Sequence, residues 1–334
     1  MLTALLEIKD LHVHFPIKNG VLQKTTGHVK ALNGIDLTVH KGETLGIVGE
    51  SGCGKSTLAR SIVGLHKPTS GDLLFNGKPY TDASSKELYE LRRNMQMVFQ
   101  DPYTSLNPRM KVSESIAAPL KAYKKTKNLE SRVKELMELV GLNPDDHYNR
   151  LPHEFSGGQR QRIGIARAIA LEPKLIVCDE PVSALDVSVQ AQVINLFQDL
   201  QKKLDLTYVL IAHDLSVINH IADRVAVMYL GKVMEKSNRE TFQTHAQHPY
   251  TNALLSAVPL PDPDKERVRE RIVLKGELPS PANPPNGCVF HNRCPKATEF
   301  CKTKIPVLEE RGVPGQEVAC FFPVGAEEKT RITL

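Results

Sequence analysis

Gly49-Glu50-Ser51-Gly52-Cys53-Gly54-Lys55-Ser56 follows the apolar run Leu45-Gly46-Ile47-Val48 and fits the pattern G-x-x-x-x-G-K-[ST]. At a strand end this pattern is a phosphate-binding loop. Glycines let backbone N–H groups turn inward around phosphate oxygens, and a helix opening near Lys55 adds the positive end of its dipole. In such a loop Lys55 reaches the β- and γ-phosphates and Ser56 ligates Mg2+. The alternative is an ordinary glycine-rich turn between a strand and a helix. The context favours phosphate, because Thr57-Leu58-Ala59-Arg60-Ser61-Ile62-Val63-Gly64 supplies the helix. Leu58, Ile62 and Leu65 fall at helical spacing, with Gly64 as the stop.

Two further segments match this chemistry. Leu175-Ile176-Val177-Cys178-Asp179-Glu180 is four apolar residues ending in two carboxylates, which sets both acids at the C-terminal edge of a buried strand, where α/β sheets place their ligands. Asp179 is then expected to hold Mg2+, directly or through water, and Glu180 to accept a proton from the attacking water; solvated acids capping a strand are the alternative. Phe155-Ser156-Gly157-Gly158-Gln159 precedes an apolar-periodic run over 163–170, so its hydroxyl and amides also open a helix suited to an anion.

The rest of the chain reads as an α/β framework. Residues 11–15 alternate like a half-buried strand, 16–30 read as turn-rich, and 35–39 as a second strand. Residues 72–75 form another strand candidate ahead of the hairpin signal Asn76-Gly77. Between about 100 and 169 the pattern turns helical, with Val133, Leu136, Met137 and Val140 on one face. Short apolar runs return at 175–178 and 208–212, separated by a helix over 187–204, the order of a buried parallel sheet. Residues 225–229 and 232–235 form a hairpin around Leu230-Gly231. Past Tyr250 prolines accumulate (Pro259, Pro261, Pro263, Pro279, Pro281, Pro284, Pro285), marking a loop-rich appendage.

A hydrophobic share of 41% against 24% charged gives 334 residues a real core, enough for one large domain with an appendage or for two domains. The net charge of +5 is spread among interleaved acids, so charge does not point to nucleic acid. No window approaches the roughly 18 apolar residues of a spanning helix, and the first residues lack a signal-peptide pattern. The chain is therefore expected in the cytosol, unless a partner holds it at a membrane.

Residues 49–56, 155–159, Asp179-Glu180, Ser183-Ala184-Leu185-Asp186 and His213, in that order, resemble the nucleotide-binding subunit of an ATP-binding cassette (ABC) transporter over about residues 5–240. The resemblance implies a P-loop NTPase cassette at 1–245. Its expected parts are a mixed sheet core, an antiparallel N-terminal β subdomain and an inserted helical subdomain at about 100–169. A Pro/Cys-rich C-terminal extension would occupy 246–334. It implies ATP and Mg2+, with Gly49, Glu50, Ser51, Gly52, Cys53, Gly54, Lys55, Ser56 and Thr57 around the nucleotide, and Phe15 where an aromatic stacks on adenine. Ser56, Gln100 and Asp179 would serve Mg2+. Glu180, His213 and Gln100 take the catalytic positions: the base, the switch histidine at the γ-phosphate, and the glutamine that touches metal and water and senses the membrane subunits. Ser156, Gly157, Gly158 and Gln159 match the signature that binds ATP held by a partner, and Asp186 matches an aspartate at the dimer interface. Phe155 stands where leucine is usual. One cassette per chain implies a head-to-tail dimer.

Gln100-Asp101-Pro102-Tyr103-Thr104-Ser105-Leu106-Asn107-Pro108-Arg109, Pro181-Val182-Ser183-Ala184-Leu185-Asp186-Val187-Ser188-Val189-Gln190, His248-Pro249-Tyr250-Thr251 and Gly276-Glu277-Leu278-Pro279-Ser280-Pro281 resemble the dipeptide and oligopeptide importer branch, in particular its second ATP-binding subunits. That branch implies a homologous ATPase partner, two membrane permeases, an extracytoplasmic peptide-binding protein and a peripheral place on the cytoplasmic face of the inner membrane. Nickel, haem precursors and antimicrobial peptides remain alternative cargoes. A soluble cassette ATPase of translation or DNA repair would carry two cassettes or a long coiled coil, and the sequence has neither.

Cys288, Cys294, Cys301 and Cys320 are spaced C-x5-C-x6-C-x18-C. Zinc ribbons favour closely paired cysteines, which are absent, whereas a cuboidal cluster needs four thiolates and tolerates varied spacing. The importer resemblance implies a 4Fe–4S cluster here, with Zn2+ or unligated thiols as alternatives and His291 not a ligand.

Overall fold

A computed structural model of the chain describes residues 3–20, 24–259, 264, 267 and 271–325. Pro261 and Pro263 of the proline-rich stretch and the last residues of the expected extension, 326–334, lie outside them.

The N-terminal layer is an antiparallel sheet of β1 (Ala4–Asn19), β2 (Lys24–His40), β4 (Ser70–Phe75) and β5 (Lys78–Pro79), in the order β2-β1-β4-β5. Leu5, Leu6, Ile8, Leu11 and Val13 of β1 face the interior. Residues 16–19 and 24–30 are not the turn-rich stretch that their composition predicts, and residues 21–23 of it lie outside the described residues. The ladder runs on through the described part, with Phe15 opposite Val29 and Ile17 opposite Gly27. Pairing with a neighbouring strand decides β structure more than the propensity of a polar, glycine-bearing segment does. Asn76 and Gly77 both take positive φ (50° and 71°) and close the β4–β5 hairpin as a two-residue turn of the primed type.

Eight described strands form the central sheet. These are β3 (Thr44–Val48), β6 (Met95–Val98), β7 (Leu175–Asp179), β8 (Thr207–Ile211), β9 (Arg224–Tyr229), β10 (Lys232–Asn238), β11 (Glu309–Glu310) and β12 (Glu317–Val318). Their order is β11-β12-β10-β9-β3-β8-β7-β6, and β6, β7, β8, β3 and β9 run parallel. Every residue of β3, β7 and β8 is buried, which is why these strands read as continuous apolar runs instead of alternating ones. Burying a side chain such as Ile47 or Val209 stabilises the fold by roughly 1.5–3 kcal/mol relative to exposure.

The helices cover this sheet. They are α1 (Lys55–Ile62), α2 (Ser85–Arg92), α3 (Val112–Ala122), α4 (Leu129–Leu139), α5 (Pro144–His147), α6 (Gly157–Ile169), α7 (Val187–Leu204), α8 (Leu215–Ile221), α9 (Arg239–Thr244), α10 (Pro249–Ala257) and α11 (Glu299–Thr303). Gly64 N–H donates to the Ser61 carbonyl (3.0 Å) and Leu65 N–H to that of Arg60 (2.7 Å), the Schellman pattern that stops α1. Leu65 therefore falls beyond the helix. It is 51% exposed and does not share the buried face of Leu58 and Ile62. Helices α3 to α6 form the helical segment, where Val133, Leu136, Met137 and Val140 are buried together.

The parallel register positions the site. Ile47 of β3 pairs with Ile211 of β8, and Asp179 of β7 with the same Ile211. Met97 and Val98 of β6 pair with Val177 and Cys178. Four strands thus end at one edge, and the residues that follow them (Gly49, Gln100, Glu180 and His213) are delivered there together.

Candidate functional site

The phosphate loop runs from β3 into α1. Gly49 has a φ of 151°, and a Cβ there would stand 2.2 Å from the Met228 carbonyl oxygen, so this turn admits only glycine. Lys55 is buried, and its Nζ donates to the carbonyls of Gly49 (2.7 Å) and Glu50 (2.9 Å). Among the described residues its charge is met by dipoles and by no carboxylate in hydrogen-bond reach, an environment that suits an anion. Cys53 is buried inside the loop, and burial raises its thiol above the ordinary value.

Ser56 Oγ donates to Asp179 Oδ1 at 2.9 Å. Burial raises the Asp179 carboxyl above its usual range, partly offset by the Ser56 hydrogen bond and by Arg60. One buried carboxylate beside one hydroxyl fits Mg2+, which keeps several waters and takes few protein ligands together with substrate phosphates.

Glu180 carries the densest set of contacts. Gln100 Nε2 donates to Glu180 Oε2 at 2.9 Å, and His213 Nδ1 lies 3.4 Å from the same oxygen. The Glu180 backbone takes a left-handed φ of 47°, a conformation that costs a non-glycine residue about 1–3 kcal/mol and persists only where the surroundings impose it. Here Glu180 N–H donates to the Ile211 carbonyl (3.0 Å), and the Ser183 hydroxyl donates to the Glu180 carbonyl (3.1 Å). Gly49, Glu50, Ser51 and His213 also line a cleft of about 430 Å³, together with Leu254 and Val258. A larger cleft, of about 590 Å³, lies beside β4, β5 and α2 and contains none of these residues.

Ser156 caps α6. Its hydroxyl accepts from Gln159 N–H (3.3 Å), and Gln159 Oε1 accepts from Ser156 N–H (3.0 Å). A Cβ at Gly158 would stand 2.3 Å from Val189 Cγ1, so this helix start packs closely on the start of α7. Asp186 occupies the position before α7, exposed beside Val187. Phe15 is 36% exposed and meets His66 edge-on at 5.4 Å. No hydrogen bond among the described residues joins Ser156, Gly157, Asp186 or Phe15 to the phosphate loop, whereas Ser56 and Asp179, and Gln100, Glu180 and His213, are brought together. The segment after Gln100 does reach α6: the Arg160 guanidinium lies over the Tyr103 ring at 4.2 Å, and Arg167 donates to the Ser105 carbonyl (2.7 Å).

In the tail, Cys288 N–H donates to the Cys301 carbonyl (2.8 Å), and His291 Nδ1 bonds the Cys288 carbonyl (2.9 Å). Burial pushes the Cys288 thiol up to about 11 and the Cys320 thiol up to about 12, and raises Cys294; the neighbouring cysteines add to each shift. Even so, among the described residues no group of three or more His, Cys, Asp or Glu side chains is set to hold a metal ion. The structure thus gives the expected cluster no support. Two tail contacts escaped the sequence reading: Arg293 Nη1 donates to Glu50 Oε2 (2.6 Å), and Glu50 N–H donates to the Tyr250 hydroxyl (2.9 Å). His248-Pro249-Tyr250-Thr251 drew attention to Tyr250, but no reading of the sequence pointed to either contact.

The family described as "ABC transporter" matches residues 32–183, and "Oligopeptide/dipeptide transporter, C-terminal region" matches residues 234–301. "Oligopeptide transport ATP-binding protein AppF" of Bacillus subtilis is 54% identical over 322 residues, 96% of this chain and 97% of the relative. "Oligopeptide transport ATP-binding protein OppF" of Salmonella typhimurium is 55% identical over 311 residues, 92% of this chain and 93% of its own. Among solved structures, a dimeric ATP-binding cassette in a post-hydrolysis state with ADP and Pi superposes with a TM-score of 0.62 at 28% identity, covering 70% of this chain and 98% of that one. The cbiO1 subunit of Clostridium perfringens superposes at 0.61 and 30% identity, covering 71% and 90%.

Proposed function

Because the chain belongs to the ABC transporter family of ATPases, we propose that it is the ATP-hydrolysing subunit of a membrane importer for di- and oligopeptides. The observation that carries this reading is the meeting of Gln100 and His213 on one oxygen of Glu180, at the strand edge that also presents Lys55 and the Ser56–Asp179 pair.

In this reading Lys55 and amides of the loop within residues 51–57 bind the phosphates, the Glu50 amide being taken by the Tyr250 hydroxyl. Ser56 and Asp179 hold Mg2+, with Gln100 beside them; the ion, when bound, neutralises charge on the β- and γ-phosphates. Glu180 orients the attacking water and accepts its proton, while His213 and Gln100 fix the carboxylate in place. Phe15 stacks on adenine. Ser156, Gly157, Gly158 and Gln159 serve the nucleotide of an apposed cassette, with Asp186 at the interface between the two. Glu180 and His213 are both present, which argues against a module that holds nucleotide without turning it over. The Tyr103–Arg160 and Ser105–Arg167 contacts link Gln100 mechanically to the helix that starts at Ser156.

No described helix is long and apolar enough to cross a membrane, so the membrane step falls to partners. These are a homologous ATPase, two permeases and, indirectly, an extracytoplasmic peptide-binding protein, with this chain peripheral on the cytoplasmic face. For the tail we propose a four-thiolate iron–sulfur cluster on Cys288, Cys294, Cys301 and Cys320, a reading that rests on their number and spacing and on the importer resemblance. Loading it requires release of the thiol protons that burial retains. Metal analysis of anaerobically purified protein tests this: about four irons per chain is expected, and zinc or no metal overturns it. ATP hydrolysis by the reconstituted assembly tests the larger reading. Stimulation by peptide and its binding protein is expected, and a rate indifferent to peptide would refute the cargo.

A further inference from the structure

Glu50, the first variable residue of the phosphate loop, is gripped by all three of its polar groups. Its N–H donates to the Tyr250 hydroxyl (2.9 Å), its carbonyl accepts from Lys55 Nζ (2.9 Å), and its carboxylate accepts from Arg293 Nη1 (2.6 Å). Only the second of these comes from within the loop. Tyr250 belongs to α10, is fully buried, and packs against Tyr229 and Phe290 with ring centroids 4.8 and 5.3 Å away. Arg293 follows Phe290 in the tight turn that begins at Cys288; its N–H donates to the Phe290 carbonyl (3.0 Å), and its side chain is only 10% exposed. Leu278 of the same appendage stands 3.8 Å from where a Cβ on Gly52 would be.

A carboxylate in the first position of a phosphate loop opposes the polyanion that the loop is built to bind. Like charges close together near a protein surface repel strongly, so an uncompensated Glu50 would count against ATP. Arg293 supplies the missing cation, and its guanidinium stays charged at any relevant pH. Tyr250 meanwhile occupies the Glu50 amide and fixes where the loop leaves β3.

We infer that Arg293 and Tyr250 are positioning residues for the ATP site: the appendage holds the phosphate loop through Glu50 and neutralises its carboxylate, so that the loop's preference for a triphosphate depends on the tail. This rests on the nucleotide reading of the loop given above. Neither residue touches the reacting atoms; each acts through Glu50.

The test is a charge-swap series on the full-length chain, with affinity for a fluorescent ATP analogue and for ADP measured alongside KM and kcat for ATP. Arg293→Gln raises the dissociation constant and KM for ATP by about tenfold, the cost of leaving one member of a close charge pair alone, with a smaller loss for ADP and little change in kcat. Glu50→Gln combined with Arg293→Gln recovers ATP affinity to within about threefold of wild type, because the repulsion has gone; lost packing alone would not be rescued. Tyr250→Phe keeps the ring and removes the acceptor, weakening ATP binding by roughly fivefold, the worth of one hydrogen bond. Thermal melting points and thiol counts of each variant confirm that it is folded. If wild type binds ATP and the single variants bind it equally well, the inference is overturned while the ATPase reading stands. A double variant as weak as Arg293→Gln overturns the neutralising role. A wild-type chain that binds no ATP removes the reading beneath both.

Discussion

The strand edge at Lys55, Asp179 and Glu180 and the appendage bearing Cys288, Cys294, Cys301 and Cys320 each gather reactive side chains, but they are built in opposite ways. At the edge, parallel register fixes the geometry: β6, β7, β3 and β8 end side by side, and each delivers its polar residue from the turn that follows. In the appendage the regular elements described beyond α10 are short, α11 and the two-residue strands β11 and β12, and a few long-range ties do the holding. Glu235, fully buried, accepts from the amides of Gln247 (2.8 Å) and His248 (2.9 Å) and from Gln316 Nε2 (2.7 Å), while β12 extends the central sheet beside β10. A catalytic edge can thus rest on backbone pairing, whereas a loop-rich extension depends on single buried polar side chains.

If the two regions differ in this way, changes in one should alter chemistry and changes in the other stability. Glu180→Gln is expected to lower turnover by about 10²–10⁴, the worth of a positioned general base, with ATP still bound; rapid-quench phosphate release measures it. Glu235→Ala leaves two amides and a carboxamide without their acceptor and should cost about 3 kcal/mol of stability, read as a lower melting point and early proteolysis beyond residue 245. If it melted like wild type, the appendage would be held by something other than Glu235. Lys55→Ala removes charge-assisted hydrogen bonds worth about 1.5–3 kcal/mol, so the dissociation constant for ATP should rise roughly ten- to hundredfold in titration calorimetry.

Much of the edge was legible in the sequence because Gln100, Asp179, Glu180 and His213 each sit within two residues of an apolar run that fixes where a strand ends, while Lys55 was marked by the glycines of its loop. The helix over 187–204 and the hairpin around Leu230-Gly231 were read for the same reason: periodicity and turn residues are local signals. Residues 16–19 and 24–30 were misread because what makes each of them strand is the pairing of β1 with β2, which no local signal shows. The clasp on Glu50 was invisible because Arg293 is 243 residues away in sequence, and no spacing rule spans that interval. The four cysteines could be read only as a crowding at the C-terminal end, and among the described residues they are not set around a metal ion.

Two smaller effects refine the contrast. Burial pushes the His248 imidazole from 6.5 down to about 3, while its Nδ1 accepts from Tyr250 N–H (3.1 Å). A pKa depressed in the folded state means that the unfolded chain takes up a proton which the native one refuses. Stability is therefore complete above pH 6.5 and falls as pH drops from there toward 3, by roughly 1.4 kcal/mol per unit for this one group. His248→Asn keeps a cap without the titration and should flatten that slope in denaturant melts between pH 6.5 and 5; an unchanged slope would place the proton elsewhere. Phe15→Ala should weaken ATP binding least, by about fivefold, at the low end of base stacking on an aromatic, with GTP affected alike.

The distance that matters most lies between two chains. In the Glu180→Gln assembly held with ATP and Mg2+, a cryo-EM structure should place Ser156 Oγ within about 3 Å of a γ-phosphate oxygen on the nucleotide held by the apposed cassette, while residues 49–56 of this chain cradle the second nucleotide. A closed assembly in which Ser156 stays remote from any γ-phosphate, its hydroxyl still spent on Gln159, would contradict the shared site on which the functional reading stands.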